Sequence, residues 1–95
     1  MSNPTETRSV KVENAQGLHM RPAYLFAEAA ARFDSQIEVV KDGLRIDGKS
    51  VLSILTLGAS KGTELQLNAT GPDALQAVKA LADLIQSGFP EQTQK

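Results

Sequence analysis

The hydrophobic period of this chain switches between two and about 3.6 residues several times within 95 residues, and few folds accommodate that rhythm. Val10 and Val12 alternate with Ser9, Lys11 and Glu13, as in a half-buried strand. Asn14 to Leu18 then reads as a loop. From Met20 to about Phe33, the residues Pro22, Phe26, Ala29, Ala30 and Phe33 recur at helical spacing, with Glu28 and Arg32 off the stripe. Ile37 and Val39, then Asp42-Gly43, then Leu44 and Ile46 describe a hairpin with a two-residue turn. Ser50 is a good N-cap for the apolar run Val51 to Leu57, which stops at Gly58. Thr63 to Thr70 alternates again, with Leu65, Leu67 and Ala69 on one face. Gly71-Pro72-Asp73 opens a helix carrying Val78, Leu81 and Ile85, which Gly88 and Pro90 close.

The order is therefore β-α-β-β-α-β-α. Each strand can bury one face only, so the expected fold is α+β: a four-stranded antiparallel sheet covered on one face by three helices. Lys11, Glu38 and Gln66 belong on the uncovered, solvated face. A chain of this length buries only about 60 to 65% of its unfolded surface, which leaves room for one small core. Residues 8–89 are expected to form a single domain. Residues 1–7 and 90–95 are polar and expected to fray.

Composition removes several classes of function. There is no cysteine, hence no disulfide framework, thiolate zinc site or cysteine nucleophile, and a reducing compartment, the cytoplasm, is expected. The N-terminus lacks an apolar targeting segment, and no run is long enough for a membrane span. A formal net charge of −1, with Tyr24, Phe26, Phe33 and Phe89 the only aromatic residues, argues against nucleic acid as a partner.

The one histidine lies in G-L-H-M-R-P-A, Gly17 to Ala23. Arg21 and Pro22 fall in the first turn of the first helix, where the N–H that proline lacks is no loss, so His19 sits at or beside the N-cap. Unpaired helix N–H groups and the fixed cation of Arg21, whose planar fork suits phosphate oxygens, make an anion site beside a nucleophilic imidazole. That combination suits reversible capture of a phosphoryl group. Taken alone, a histidine near a helix start is more often a surface or capping residue. A metal site is poorer still, because no convergent ligands accompany it, and no G-x-S-x-G supports a hydrolase.

The second helix adds an independent signal. Leu57, Ile54, Val51, Leu55 and Leu52 span an arc of roughly 220°, wider than the roughly 100° a helix lying on a core requires. With Ile54 and Leu57 inward, Val51, Leu52 and Leu55 point outward as an apolar patch that Tyr24 extends toward His19. A helix buried on two sides is the alternative.

With these residues in view the chain resembles the HPr family, the histidine-containing phosphocarriers of the bacterial phosphoenolpyruvate-dependent sugar phosphotransferase system. The resemblance runs from about Arg8 to Phe89. G-L-H-M-R-P-A matches the family signature G-x-H-x-R-P-[A/S], in which Gly17 and Pro22 shape the site. G-K-S-V-L-S-I-L-T-L-G followed by A-S-K-G-T-E-L is similar to the family's regulatory serine segment, second helix and fourth strand. Tyr24, Gln16 and the extended start depart from the usual pattern. The resemblance implies an open-faced β-sandwich and a monomeric carrier without cofactor or turnover of its own. It implies that His19 takes a phosphoryl group on Nδ1 from phospho-Enzyme I and passes it to Enzyme II A domains, that Arg21 neutralises it, and that Ser50 is the target of a regulatory serine kinase. Two other functions are weighed: a regulatory HPr-like protein that feeds no transporter, and a ferredoxin-like module binding a small metabolite, which would share most of the element order.

Overall fold

The computed structural model describes residues 3–90. Its elements are β1 (Thr5–Lys11), α1 (Met20–Ala31), β2 (Gln36–Lys41), β3 (Leu44–Asp47), α2 (Val51–Thr56), β4 (Glu64–Thr70) and α3 (Ala74–Gln86). The four strands form one antiparallel sheet in the order β1-β4-β2-β3. Strand β4 thus slots between β1 and β2, which flank α1 in sequence. The three helices cover one face, with α3 over β1 and β4, α1 against both other helices, and α2 beside β3. Among the described residues, no helix is long and apolar enough to cross a membrane.

Alternation decides which face is covered. Val10, Ile37, Val39, Leu65, Leu67 and Ala69 turn inward and are buried, while Lys11 and Gln66 are exposed and Glu38 is half-buried on the other face. There Glu38 accepts hydrogen bonds from Arg45 (2.9 Å) and Asn68 (3.1 Å). Between β2 and β3, Asp42 (φ 49°) and Gly43 (φ 83°) both have left-handed backbone, the geometry of a two-residue turn whose twist matches the strands. The inward face of α1 is Pro22, Ala23, Phe26, Ala27 and Ala30, while Ala29 and Phe33 are only half-buried. The buried stripe is therefore rotated by part of a turn from the expected one, because α1 packs against α2 and α3.

One expectation is corrected at the N-terminus. Thr5, Glu6 and Thr7 do not fray but pair with Thr70, Ala69 and Asn68, and Gly71 N–H donates to the Pro4 carbonyl at 3.0 Å. This half of β1 has no apolar alternation to announce it. Its hold comes from the ladder and from side chains on the wet face, Thr5 to Thr70 and Thr7 to Asn68, each at 3.0 Å. Of the expected tail only Pro90 is described. Residues 1–2 and 91–95 lie outside the described residues.

Candidate functional site

The site begins with the loop that delivers the chain from β1 to α1. Gly17 has φ 71°, and a Cβ built there would lie 2.3 Å from the Ala59 carbonyl oxygen and 2.8 Å from Ser60 Cα. Only glycine combines that backbone with that approach. The next residue completes the contact, with Leu18 N–H donating to the Ala59 carbonyl at 2.9 Å. The histidine loop is thereby seated on the segment that joins α2 to β4.

His19 follows as the N-cap of α1, with extended backbone (φ −85°, ψ −164°). Its carbonyl accepts from Ala23 N–H at 2.9 Å, but its imidazole makes no capping hydrogen bond and the residue is exposed. The ring is therefore uncommitted. Met20 and Arg21 present the first amides of the helix, Pro22 presents none, and no acidic residue occupies the first turn. Those amides and the helix dipole favour an anion at this end.

Arg21 lies in that first turn as expected, but its guanidinium is not idle. Its Nη2 donates to the backbone carbonyl of Phe89 at 2.8 Å. Phe89 is itself buried and held in left-handed backbone (φ 56°) just after Gly88. The turn closing α3 thus holds the cation at the start of α1. A guanidinium has five N–H donors, so this bond leaves capacity for an anion.

Ser50 caps α2, its hydroxyl accepting from Ser53 N–H at 3.1 Å. Ile54 and Leu57 are buried as expected. The outward patch is narrower than expected: Leu52 is 75% exposed, but Val51 and Leu55 are half-buried and pack on the core. The reason is geometric, since a six-residue helix between α1 and β3 seals both its edges with flanking side chains. On the adjoining α1, Met20 and Tyr24, one turn apart, are also exposed. Met20 was not among the residues the spacing singled out, because a methionine at N1 of a helix carries no distinguishing signal.

Two further residues escape sequence reasoning. Phe89 reads as the end of a helix, and nothing local marks its carbonyl as the partner of Arg21, 68 positions away. Asn14 reads as a loop residue, yet its side-chain amide donates to the Gly17 carbonyl. A hollow of about 420 Å³ lies elsewhere, lined by Gln36, Ile37, Glu38, Arg45, Ile46, Asp47 and Lys49, and no residue of α1 contributes to it.

Comparison with known proteins agrees with the fold. The chain matches the family model PTS-HPr, described as the PTS HPr component phosphorylation site, over residues 6–87. It is 41% identical over 85 residues to the phosphocarrier protein HPr of Treponema pallidum, covering 90% of this chain and 97% of that one. It is 39% identical over 79 residues to the HPr-like protein Crh of Bacillus subtilis, covering 83% and 93%. The crystal structure of HPr-C-His from Thermoanaerobacter tengcongensis superposes with a TM-score of 0.87 at 43% identity, covering 93% of this chain and 99% of that one.

Proposed function

Because the chain belongs to the HPr family of phosphocarrier proteins of the phosphotransferase system, we propose that His19 is its phosphoryl acceptor, loaded by phospho-Enzyme I and unloaded onto Enzyme II A domains. The observation that carries this reading is the uncommitted, exposed imidazole at the N-cap of α1, with helix amides beside it and no carboxylate in the first turn. A neutral ring nitrogen, Nδ1 by family resemblance, attacks phosphorus. The P–N bond forms as the bond to the donor enzyme breaks, and the reverse exchange hands the group on. In this reading the protein is a carrier of the phosphoryl group and has no turnover of its own.

Arg21 answers the charge that arrives. A phosphoryl oxygen is a stronger partner than a neutral carbonyl, so the guanidinium turns toward it, either leaving Phe89 or bridging both. Holding must be moderate for a carrier, and competition from the Phe89 carbonyl provides that moderation. Leu52, flanked by Val51 and Leu55, and Tyr24 on α1 form the face that docks Enzyme I and the Enzyme II A domains. Such partners place the protein in the cytoplasm.

Ser50 is the regulatory position in this reading. A kinase that phosphorylates it adds about −1.5 to −2 charges at the N-cap of α2, where the helix dipole tolerates them, immediately before Val51 and Leu52. Docking weakens while the fold survives. The similarity to the HPr-like protein Crh favours a second reading, in which the chain signals without feeding a transporter. Transfer separates the two. Protein labelled from phosphoenolpyruvate by Enzyme I and then mixed with an Enzyme II A domain passes its label on if it is a transport carrier. Retention of label in the presence of every Enzyme II A domain of the same cell supports the regulatory reading, and failure to label at all removes the carrier reading and leaves only regulation through Ser50.

A further inference from the structure

We infer that Asn14 is a positioning residue for His19, a role that rests on the reading of His19 as the phosphoryl acceptor. Asn14 opens the loop after β1, and its carbonyl accepts from Gly17 N–H at 3.0 Å, closing a tight turn. Its side-chain Nδ2 donates to the Gly17 carbonyl. That same carbonyl accepts His19 N–H at 3.0 Å. One oxygen therefore gathers the Asn14 carboxamide and the backbone of the acceptor residue.

Glycine has the widest choice of φ and ψ, so the Gly17 carbonyl points where its partners hold it. From one side the hold is Ala59, through Leu18 N–H. From the other it is Asn14. Remove the carboxamide and the peptide plane preceding Leu18 is held from the Ala59 side alone, which loosens the anchor of His19 N–H.

The second observation concerns the other half of the same carboxamide. Only an amide nitrogen can face a carbonyl oxygen, so the Gly17 contact dictates the orientation of the group. Asn14 Oδ1 is then buried with no hydrogen-bond partner, the one such side-chain atom among the described residues. Buried acceptors are rarely left unmatched, so the orphaned oxygen is a cost of this orientation. The orientation that serves the Gly17 carbonyl is kept despite the orphaned oxygen. The residue also lies near the second half of the site: a methyl built on Gly88 would be 4.0 Å from Asn14 Cβ, and the Gly88–Phe89 turn is the one that holds Arg21.

Two variants test the role. Asn14→Asp keeps the shape but removes the donor, and Asn14→Ala removes the donor together with the orphaned oxygen. With Enzyme I and phosphoenolpyruvate, both should lower kcat by roughly tenfold or more, as misplacement of a reacting group does, while KM stays within about twofold because Tyr24 and Leu52 are untouched. Amide exchange of His19 N–H, read by NMR, should quicken by about tenfold in Asn14→Ala with core amides unchanged. An unchanged kcat in the folded Asn14→Ala protein, or a rise in KM alone, overturns the inference. So does an unchanged His19 exchange rate, and that readout stands whether or not the wild type accepts phosphate.

Discussion

At the residue scale, the site depends on a few atoms whose freedom has been removed. Gly17→Ala would place a methyl 2.3 Å from the Ala59 carbonyl in backbone with φ 71°, so the loop must move. Left-handed backbone alone disfavours alanine by about 1–2 kcal/mol. Urea unfolding should register at least that loss, and phosphorylation should fall by more than the unfolded fraction accounts for. Arg21→Lys keeps the charge but gives up the fork that serves Phe89 and an incoming anion together, so transfer should slow by about tenfold or more while the protein remains a substrate. Equal rates for the two proteins would show that the guanidinium geometry is irrelevant. The placement of His19, Arg21 and Pro22 at one helix start was legible because helix-start signals are local in sequence. Asn14 and Phe89 were not, because their roles arise from contacts that only the folded chain brings together, and an asparagine in a loop and a phenylalanine after a glycine have ordinary structural uses.

At the element scale, α2 sets an exposed side chain beside a buried one within six residues. Leu52 is exposed and Ile54, half a turn away, is 1% exposed. Leu52→Glu should therefore leave the melting temperature nearly unchanged but weaken binding to Enzyme I strongly, since an unpaired carboxylate is disfavoured in an apolar interface. Ile54→Ala should do the reverse, destabilising by about 2–5 kcal/mol through the cavity it opens while the folded fraction still docks. A large drop in melting temperature for Leu52→Glu would place that residue in the core instead. Ser50→Ala, which removes the acceptor for Ser53 N–H, should lose about 0.5–2 kcal/mol. Element order, the Asp42-Gly43 turn and the inward faces of β2 and β4 could be read from periodicity because burial imposes it. The start of β1 could not, since Thr5 to Arg8 are recruited by a free edge of β4 and carry no apolar alternation.

At the scale of the whole molecule, the helical layer is tied together at the end of α1 away from the histidine. The Asp73 carboxylate accepts from Ser35 Oγ (2.6 Å), Asp34 N–H (2.9 Å) and Ser35 N–H (2.9 Å), joining the α1–β2 turn to the start of α3. The Ser35 hydroxyl above all, then the Asp34 amide, hold Asp73 below the usual carboxylate range. A carboxylate whose folded value is depressed stabilises the fold above its unfolded value and ceases to do so as pH falls through the folded one. The difference in stability between wild type and Asp73→Ala should thus be constant near neutrality and shrink below about pH 4. A difference that does not change over that range would mean the carboxylate is not what holds the turn. This lock lies at the opposite end of α1 from His19, which is exposed. The most direct test is to incubate wild type and His19→Ala with phosphoenolpyruvate and Enzyme I and map the phosphorylated peptide. Wild type should carry acid-labile, base-stable phosphate on the peptide containing His19, and the folded variant should carry none. Label of that stability on His19→Ala, or on any other peptide of the wild type, would contradict the assignment of this histidine as the carrier.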